Sequence, residues 1–346
     1  MITMKEIGKL AGVSQPTVSV VLNGKGDEKG IAKKTQQKIL EIAENHGFRT
    51  NAIARSMKTG RTGIIGVIVS KDSVKQTIEY RDNGVSDMHL HSSLLLAGCR
   101  VMIEVVDEQD FKEQKMPEIL TDGLVDGVIM LSSADNESTF TKYLEHMRKY
   151  TPHILLINDI TKLEISNISA DEFEIGEKAA NYFWECGYRS FATISCAERR
   201  IALESRLNAF RKRIEELSHG EIDVTTINAG NRWSIDCGRE GIKKLLEERG
   251  CYPEAIFCAN DFFAYGAEIE LLERGISIPD DVVILGVGES KLASYAPVPI
   301  STLGISLEDK TAAIIEILKD WQQGGTTPIK KQLKSTLYQR NSTIII

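Results

Sequence analysis

Residues 12–24 read GVSQPTVSVVLNG, a pattern typical of a tight turn followed by a short helix. Ser14 is a preferred residue type for capping a helix near 15–23. Pro16 is tolerated because the first helical turn needs no amide donor at that point. The apolar residues at helical spacing are Val18, Val21 and Leu22. We therefore expect a helix with one apolar face and a small, polar amino-terminal end.

Two further helices are expected on either side of this one. Thr3 and Glu6 have the spacing of a capping box, which predicts a helix near 4–11. A third helix is expected near 32–46, and Gly47 favours its end. The residues that these two helices are expected to turn inward are Ile7, Leu10, Ala11, Ile39, Ile42 and Ala43.

The segment NAIARSMKTG follows at residues 51–60. Asn51 is a preferred cap residue and Gly60 favours a helix end, so the segment predicts a short helix through Lys58. A helix of two turns with little apolar surface is marginal in isolation. We expect it to form only where a partner surface holds it.

The polar start of the second helix suits a recognition helix, whose first side chains reach base edges in the major groove of DNA. Gln15 can hydrogen-bond adenine, and Thr17 or Ser19 can contact a phosphate or a thymine methyl group. A plain three-helix domain without DNA would carry the same apolar pattern. Charge favours DNA, because residues 1–62 hold eleven Lys and Arg against five Asp and Glu, or +6, while the remainder holds −13.

From residue 63 onward, short apolar runs alternate with helical stretches. The expected strands are 64–70, 100–106, 125–131, 153–158, 191–195, 255–259 and 282–287. Continuous apolar strands joined by crossover helices indicate parallel sheets covered on both faces. We predict an α/β chain, with an all-α helix-turn-helix head and a body of two lobes whose parallel sheets are flanked by helices.

Several classes of protein do not fit the sequence. No apolar run of 18 residues occurs, and the start MITMKEIGKL lacks the apolar stretch of a secretory signal, so we expect a cytoplasmic protein without a membrane helix. Six scattered cysteines predict reduced, buried thiols.

No catalytic or metal-binding pattern stands out either. Gly286 and Gly288 lack the third glycine and the acid of a dinucleotide site, and His89 and His91 diverge on a helix. No nucleophile elbow is found. We expect no enzyme activity, no catalytic residue, no metal and no cofactor.

Several motifs, taken in order, resemble the lactose/purine-repressor (LacI/GalR-type) family of bacterial transcriptional regulators. They are IGKLAGVSQPTVSVVLNG, NHGFRTNAIARSMKTG, GIIGVIV, LVDGVIML, RLNAF, AIFCANDFFAYGA and QRNST. The resemblance extends over essentially the whole chain. It implies a periplasmic-binding-protein-like body, a double-stranded operator as partner, and a homodimer that a small-molecule effector controls, with no membrane partner.

The resemblance implies that the 51–58 helix docks in the minor groove. Met57 occupies the position of a leucine that wedges into the central base step, and Arg55 and Lys58 suit phosphates. The residues expected to contact DNA are Thr3, Ser14, Gln15, Pro16, Thr17, Ser19, Val20, Asn23, Asn51, Ile53, Ala54, Arg55, Met57 and Lys58. Met57 packing on the body is the alternative.

The resemblance also implies an effector site between the two lobes. Arg206 and Asp261 match a pocket arginine and aspartate, a pair that can bind a sugar, a nucleoside or a related metabolite. Trp233 matches a stacking aromatic, Arg200 matches a ligand-contacting arginine, and Ser70 ends the first strand. A structural role for Arg206 and Asp261, in a body that has lost its ligand, is the alternative.

Some positions depart from the family pattern. Residues 286–289 read GVGE in place of a Gly-Tyr-Asp-Asp segment, and Ile305 replaces a common glutamine. In the head, Val20 replaces a basic or histidine residue and Thr50 replaces a proline. We therefore expect neither the effector nor the operator sequence to be that of a well-studied relative.

The expected domains are a head at residues 1–48, a hinge at 49–61 and a body at 62–346. Within the body, the first lobe is expected at about 62–160 plus 299–323, and the second at 161–298 plus 324–346. A repressor is the first hypothesis. The alternatives are an activator, a small-molecule receptor that does not bind DNA, and an α/β enzyme.

Overall fold

A computed structural model describes residues 2–48, 56, 60–71, 90, 94–95, 98–131, 137–157, 162–196, 201–230 and 234–344. The chain divides into two compact units, Met1–Gly63 and Ile64–Ile346. No helix in the described ranges is both long enough and apolar enough to cross a bilayer.

Residues 2–48 of the first unit contain three helices, as the sequence predicted: α1 (Met4–Ala11), α2 (Gln15–Leu22) and α3 (Lys33–Asn45). Thr3 and Glu6 form both halves of the expected capping box. The buried core of the unit consists of Ile7, Ala11, Val18, Val21, Ile39 and Ala43. Leu10 was wrongly expected to point inward, since 52% of it is exposed. The outer face of α1 therefore carries an apolar side chain as well as polar ones.

The second unit is built on two six-stranded sheets. The first sheet has the strand order β11-β5-β4-β3-β1-β2 and is parallel throughout. Its strands are β1 (Ile64–Ser70), β2 (Arg100–Val106), β3 (Gly127–Met130), β4 (Ile154–Ile157), β5 (Ser166–Ala170) and β11 (Lys330–Leu333). Among the helices whose bounds the structure describes, those that flank it are α4 (Glu108–Glu113), α5 (Glu118–Thr121), α6 (Glu137–Met147) and α12 (Leu307–Gln323). Apolar clusters pack against this sheet, one with α4–α6 and one with α12.

The second sheet has the order β12-β10-β9-β8-β6-β7, and only the β10–β12 pair is antiparallel. Its strands are β6 (Phe191–Ser195), β7 (Thr225–Asn228), β8 (Ala255–Cys258), β9 (Val283–Val287), β10 (Ser301–Gly304) and β12 (Thr336–Tyr338). Its helices are α7 (Glu172–Glu185), α8 (Ile201–Leu217), α9 (Ile235–Arg249), α10 (Asp261–Glu273) and α11 (Lys291–Ser294). One continuous apolar core joins the sheet to these helices.

The chain passes between the two sheets three times, after β5, after β10 and after β11. This corrects the predicted lobe boundaries. The first sheet takes β5 and β11, which the prediction placed in the second lobe, and the second sheet takes β10, which it placed in the first. Short, partly polar strands carry no pattern that reveals their neighbours, because pairing between non-consecutive strands is set by how the crossover helices pack.

All six cysteines are free, as expected, but their burial was only partly anticipated. Cys186 and Cys251 are exposed, and the other four are buried. Both exposed thiols lie close to helix ends, where a cysteine can face solvent without opening the core.

Candidate DNA-binding face and effector site

The amino-terminal end of α2 is held in place by its own cap. The Ser14 hydroxyl accepts a hydrogen bond from the Thr17 amide at 3.4 Å and lies 2.9 Å from the Thr17 hydroxyl. Pro16 occupies the first turn. A side-chain cap of this kind satisfies one of the amides that a helix start leaves free.

The exposed side of α2 carries the residues predicted to read DNA. Gln15, Pro16 and Asn23 are exposed, whereas Val18 and Val21 are buried in the head. Thr17, Ser19 and Val20 are half-buried at the boundary between the two faces. The helix therefore presents polar groups on a rigid edge, as contact with bases requires.

Two of the predicted contacts also have structural partners. The Thr3 hydroxyl and amide both donate to the Glu6 carboxylate, at 2.9 and 2.8 Å. The Asn23 amide donates to the Ser19 carbonyl at 2.7 Å, at the end of α2. These side chains stabilise helix ends, so a contact with DNA would be a second role. The other predicted contacts, Asn51, Ile53, Ala54, Arg55, Met57 and Lys58, lie outside the described residues.

In the body, three of the predicted effector residues lie at strand ends or on the helices that follow them. Ser70 ends β1 in the first sheet and is half-buried. Arg206 lies on α8, which follows β6, and Asp261 begins α10, which follows β8. In open α/β sheets, ligands bind beyond the carboxyl ends of the strands. Arg200 and Trp233 lie outside the described residues.

Arg206 is buried and already has an acidic partner. Its Nε donates to Glu172 Oε2 at 2.7 Å, and its Nη2 lies 2.5 Å from the same oxygen. Its Nη1 donates to the Ala259 carbonyl just after β8. The side chains of Arg206 and Glu172 are only 9% and 11% exposed, so the pair is largely shielded from water.

Glycine at position 176 makes this pairing possible. A Cβ atom there would lie 2.8 Å from the Ala209 Cβ and the Phe210 amide of α8. Because Gly176 has no side chain, α7 approaches α8 closely and Glu172 reaches Arg206. The sequence prediction missed Glu172, for which the available signal was an acid in the first turn of a helix.

Asp261 is 2% exposed and both of its oxygens accept hydrogen bonds. The Thr302 hydroxyl donates to Oδ1 at 2.6 Å, and the Ser290 amide donates to Oδ2 at 2.8 Å. Burial raises the pKa of the Asp261 carboxyl group, although these hydrogen bonds oppose the shift. The carboxyl group is therefore oriented by its own lobe.

The GVGE segment has a structural explanation. A Cβ atom at Gly288 would lie 3.2 Å from Asp261 Oδ2, and Gly288 has a φ of 141°. Glu289 instead accepts two hydrogen bonds from Arg340 Nη2, at 2.9 and 2.8 Å. The segment thus makes room for Asp261, and its acid pairs with the QRNST motif. Ile305 is buried.

The described part of the chain contains no group of three or more His, Cys, Asp or Glu side chains that could hold a metal ion. His89 and His91 lie outside that part. The arrangement at the strand ends can bind a small polar molecule through hydrogen bonds and charge.

Family models match both units of the chain. Residues 3–51 match the model for bacterial regulatory proteins of the lacI family, and residues 180–343 match a periplasmic binding protein-like domain. The chain is 27% identical to the HTH-type transcriptional regulator DegA of Bacillus subtilis, over 90% of this chain and 88% of that protein. It is also 27% identical to the HTH-type transcriptional repressor PurR of Vibrio parahaemolyticus, over 88% of this chain and 86% of that protein.

Solved structures share the fold. A lac repressor dimer bound to operator and the anti-inducer ONPF gives a TM-score of 0.76 at 18% identity, and covers 99% of each chain. A complex of the regulator CelR with cellobiose gives 0.68 at 21% identity, and covers 99% of this chain and 100% of that one. At 18% and 21% sequence identity, these comparisons show that the backbone fold is shared.

Proposed function

This chain belongs to the LacI family of bacterial transcriptional regulators, and on that basis we propose that it is a repressor that binds a pseudo-palindromic operator as a homodimer. A small molecule bound between the lobes would control it. The observation that carries the proposal is the capped α2 helix, which presents Gln15 and Pro16 on the exposed face of a separately folded head. Its partner is chromosomal DNA, so we place the protein in the cytoplasm.

Operator binding can be tested with fragments of the source genome. Full-length protein should enrich a small set of fragments at about 50 mM salt, and binding should weaken by orders of magnitude at about 200 mM because phosphate contacts release counterions. Gln15→Ala should relax base preference at one position of each half-site. Gln37→Ala, the same change at an exposed position of α3, is the matched control. If the protein prefers none of the fragments at either salt concentration, the proposal is wrong.

Met57→Gly extends this test to the hinge. If Met57 is a minor-groove wedge, its removal should weaken operator binding far more than binding to unrelated DNA, because only the operator complex offsets the cost of unstacking. Equal losses on both DNAs would refute the wedge.

The dimer surface is proposed on the edge of the first sheet. β2 is an edge strand, and Ile103 and Val105 on it are 60% and 50% exposed. Residues two apart on a strand share a face, so the two side chains form one apolar strip. Exposed apolar side chains on an edge strand invite association, and a second copy of the chain would bury them.

Sedimentation analysis tests this surface. Ile103→Glu should convert dimers to monomers and weaken operator binding, because two linked heads raise each other's effective concentration on DNA. Leu124→Glu, at an apolar side chain 41% exposed outside the strip, should leave both properties unchanged. A dimer unaffected by Ile103→Glu would place the interface elsewhere.

The effector site is proposed around Arg206 and Asp261, with Ser70, Arg200 and Trp233 as further contacts. The supporting observation is that Ser70, Arg206 and Asp261 each lie at the end of a strand or on the helix that follows it, and α/β proteins bind ligands beyond strand ends. We expect a sugar, a nucleoside or a related metabolite. Arg206→Lys keeps a cation near Glu172 but loses the forked geometry, so it should abolish the response to effector while leaving operator affinity unchanged. An unchanged response would remove Arg206 from the site.

A further inference from the structure

Arg340 connects two segments of the second sheet. It follows β12 and belongs to the QRNST motif. Its Nη1 donates a hydrogen bond to the Ile300 carbonyl at 2.8 Å, just before β10. Its Nη2 donates to both carboxylate oxygens of Glu289, at 2.9 and 2.8 Å, in the turn after β9. One guanidinium group therefore joins the start of β10 to the turn that follows β9.

The same two segments supply hydrogen bonds that Asp261 accepts. The Ser290 amide, next to Glu289 in the chain, donates to Asp261 Oδ2 at 2.8 Å. The Thr302 hydroxyl, on β10, donates to Asp261 Oδ1 at 2.6 Å. The Glu289 amide in turn donates to the Thr302 hydroxyl oxygen at 3.4 Å, which leaves the hydroxyl proton for Asp261. Both of these donors to Asp261 thus lie on segments that Arg340 holds.

The turn at Glu289 has a backbone conformation that depends on such contacts. Glu289 has a φ of 56°, in the left-handed region that residues other than glycine seldom adopt. It lies so close to β10 that a Cβ atom at Gly304 would be 2.9 Å from the Glu289 Cβ. The side chains of Arg340 and Glu289 are 17% and 25% exposed, so the ion pair that holds the turn is partly shielded from water.

The segment that carries Arg340 is itself fixed to the sheet. The Arg340 amide donates to the Ser301 hydroxyl at 2.8 Å, and the Ser301 amide donates to the Ser342 hydroxyl at the same distance. The Ser342 hydroxyl donates onward to the Ile284 carbonyl of β9 at 2.6 Å. The guanidinium group of Arg340 therefore extends from a backbone that is tied to both β9 and β10.

From these contacts we propose that Arg340 is a positioning residue for the effector site, because it holds both segments that donate to Asp261 and so fixes the orientation of that carboxylate; this inference rests on the proposed effector site. A carboxylate has about four lone-pair sites, and the sites that its own lobe leaves free then point in fixed directions. Binding groups held in this way by their neighbours are the ones that select a ligand by geometry. The acid of the GVGE segment accordingly serves Asp261 through Arg340.

Titration of Asp261 tests the inference on full-length protein, without DNA or effector. The side-chain carboxyl carbons of aspartate are labelled with ¹³C for NMR, and the Asp261 signal is assigned by its absence in Asp261→Asn. Arg340→Gln should raise the proton affinity of Asp261 about 10-fold, a pKa increase of about 1, because hydrogen bonds that favour the carboxylate are lost. Thr302→Val removes one donor directly and should raise the pKa as well.

Two titratable neighbours enter the interpretation. The charge of Glu289 acts on Asp261 and raises its pKa, and Arg340 balances that charge in the natural chain. Burial raises the pKa of the Cys258 thiol, so this group stays protonated throughout the titration. A change of charge at position 340 must therefore be separated from a change of geometry.

Arg340→Lys makes this separation. It keeps the positive charge but loses the planar fork that reaches Ile300 and Glu289 together, so the pKa of Asp261 should rise as it does in Arg340→Gln. Arg274→Gln is the matched control, because it breaks an ion pair with Glu270 at the far end of the helix that Asp261 begins. In this control the pKa of Asp261 should be that of the natural chain.

Hydrogen exchange of the Ser290 amide is a second measurement on the same proteins. This amide is bound to Asp261, so its exchange reports whether the contact is kept. It should become about 10-fold faster in Arg340→Gln and Arg340→Lys, and keep its natural rate in Arg274→Gln.

The outcomes separate this inference from the proposed function. If Arg340→Gln leaves both the pKa of Asp261 and the exchange of the Ser290 amide unchanged, the inference is overturned and effector control still stands. It is also overturned if Arg340→Lys restores the natural pKa, since charge alone then acts, or if Arg274→Gln gives the same shift. A natural chain that binds no operator would refute the proposed function, whatever the titration of Asp261 shows.

Discussion

Glu268 lies on α10 and is fully buried. Its Oε1 accepts a hydrogen bond from the Val298 amide at 2.6 Å, and its Oε2 has no hydrogen-bond partner in the part of the chain that is described. Burial raises the pKa of Glu268 to about 7, from an ordinary value of 4.5. The folded protein therefore holds a proton on Glu268 across a range in which the unfolded chain has released it.

The direction of the pH effect follows from this difference. Between about pH 4.5 and 7 the unfolded state binds fewer protons than the folded state, so the contribution of Glu268 to stability falls as the pH rises. Above about pH 7 both states are ionised and the loss is complete. A difference of about 2.5 pKa units corresponds to about 3 kcal/mol.

Glu268→Gln removes the titration while keeping the acceptor for Val298. Relative to the natural chain, the variant should gain up to about 3 kcal/mol of stability between pH 5 and pH 8. The assay is urea unfolding of the body, followed by far-UV circular dichroism at several pH values. At each pH, the free energy of unfolding of the natural chain is subtracted from that of the variant. The readout is how this difference changes with pH, because a constant effect of the new amide then cancels.

Glu270→Gln is the matched control on the same helix. Glu270 lies 2.8 Å from Arg274 Nη2 and 3.1 Å from Arg239 Nη2, so losing its charge should destabilise the body by about 1 kcal/mol at pH 7. At neutral pH, Glu268→Gln should therefore raise the stability of the body, whereas Glu270→Gln should lower it. A stability difference between Glu268→Gln and the natural chain that stays constant from pH 5 to 8 would refute the reasoning.

Three further substitutions test the packing that positions the sites. Ser14→Ala should destabilise the head by about 1 kcal/mol through loss of the cap on the Thr17 amide, read from faster hydrogen exchange in α2 with exchange in the body as reference. Glu172→Ala should cost about 3–5 kcal/mol in urea unfolding, because it leaves Arg206 as a buried charge without its anion, and a loss below about 1 kcal/mol would argue against a shielded pair. Gly176→Ala should cost about 1–3 kcal/mol by forcing α7 away from α8, and an unchanged unfolding midpoint would show that the contact relaxes freely.

Local patterns predicted the head well. A capping box, a Ser-x-Pro start and apolar residues every three or four positions define helices through interactions within a few residues, and α1, α2 and α3 lie close to their predicted bounds. The error at Leu10 arose because a helix of eight residues has room for few inward positions, and its neighbours decide which are used. The contacts that the sequence predicts between the head and DNA remain predictions.

Strands were predicted where they are continuously apolar. β1, β2 and β6 have the expected bounds. β1 and β6 are mostly buried and need apolar residues on both faces, whereas β2 is an edge strand whose apolar residues are partly exposed. Five strands were missed: β5, β7, β10, β11 and β12. Three of them, β7, β11 and β12, lie at sheet edges, where one side of the strand is unpaired and polar residues are tolerated.

By itself the sequence determined the helical head, the alternation of strands and helices in the body, and the family, because each depends on short-range periodicity or on motifs read along the chain. Only the tertiary structure decided which sheet receives β5, β10 and β11, and that Glu172 neutralises Arg206. Glu172 and Arg206 are 34 residues apart, and the packing of α7 on α8 brings them together. The charge balance of a site built from several strand ends depends on such long-range contacts, which no local pattern encodes.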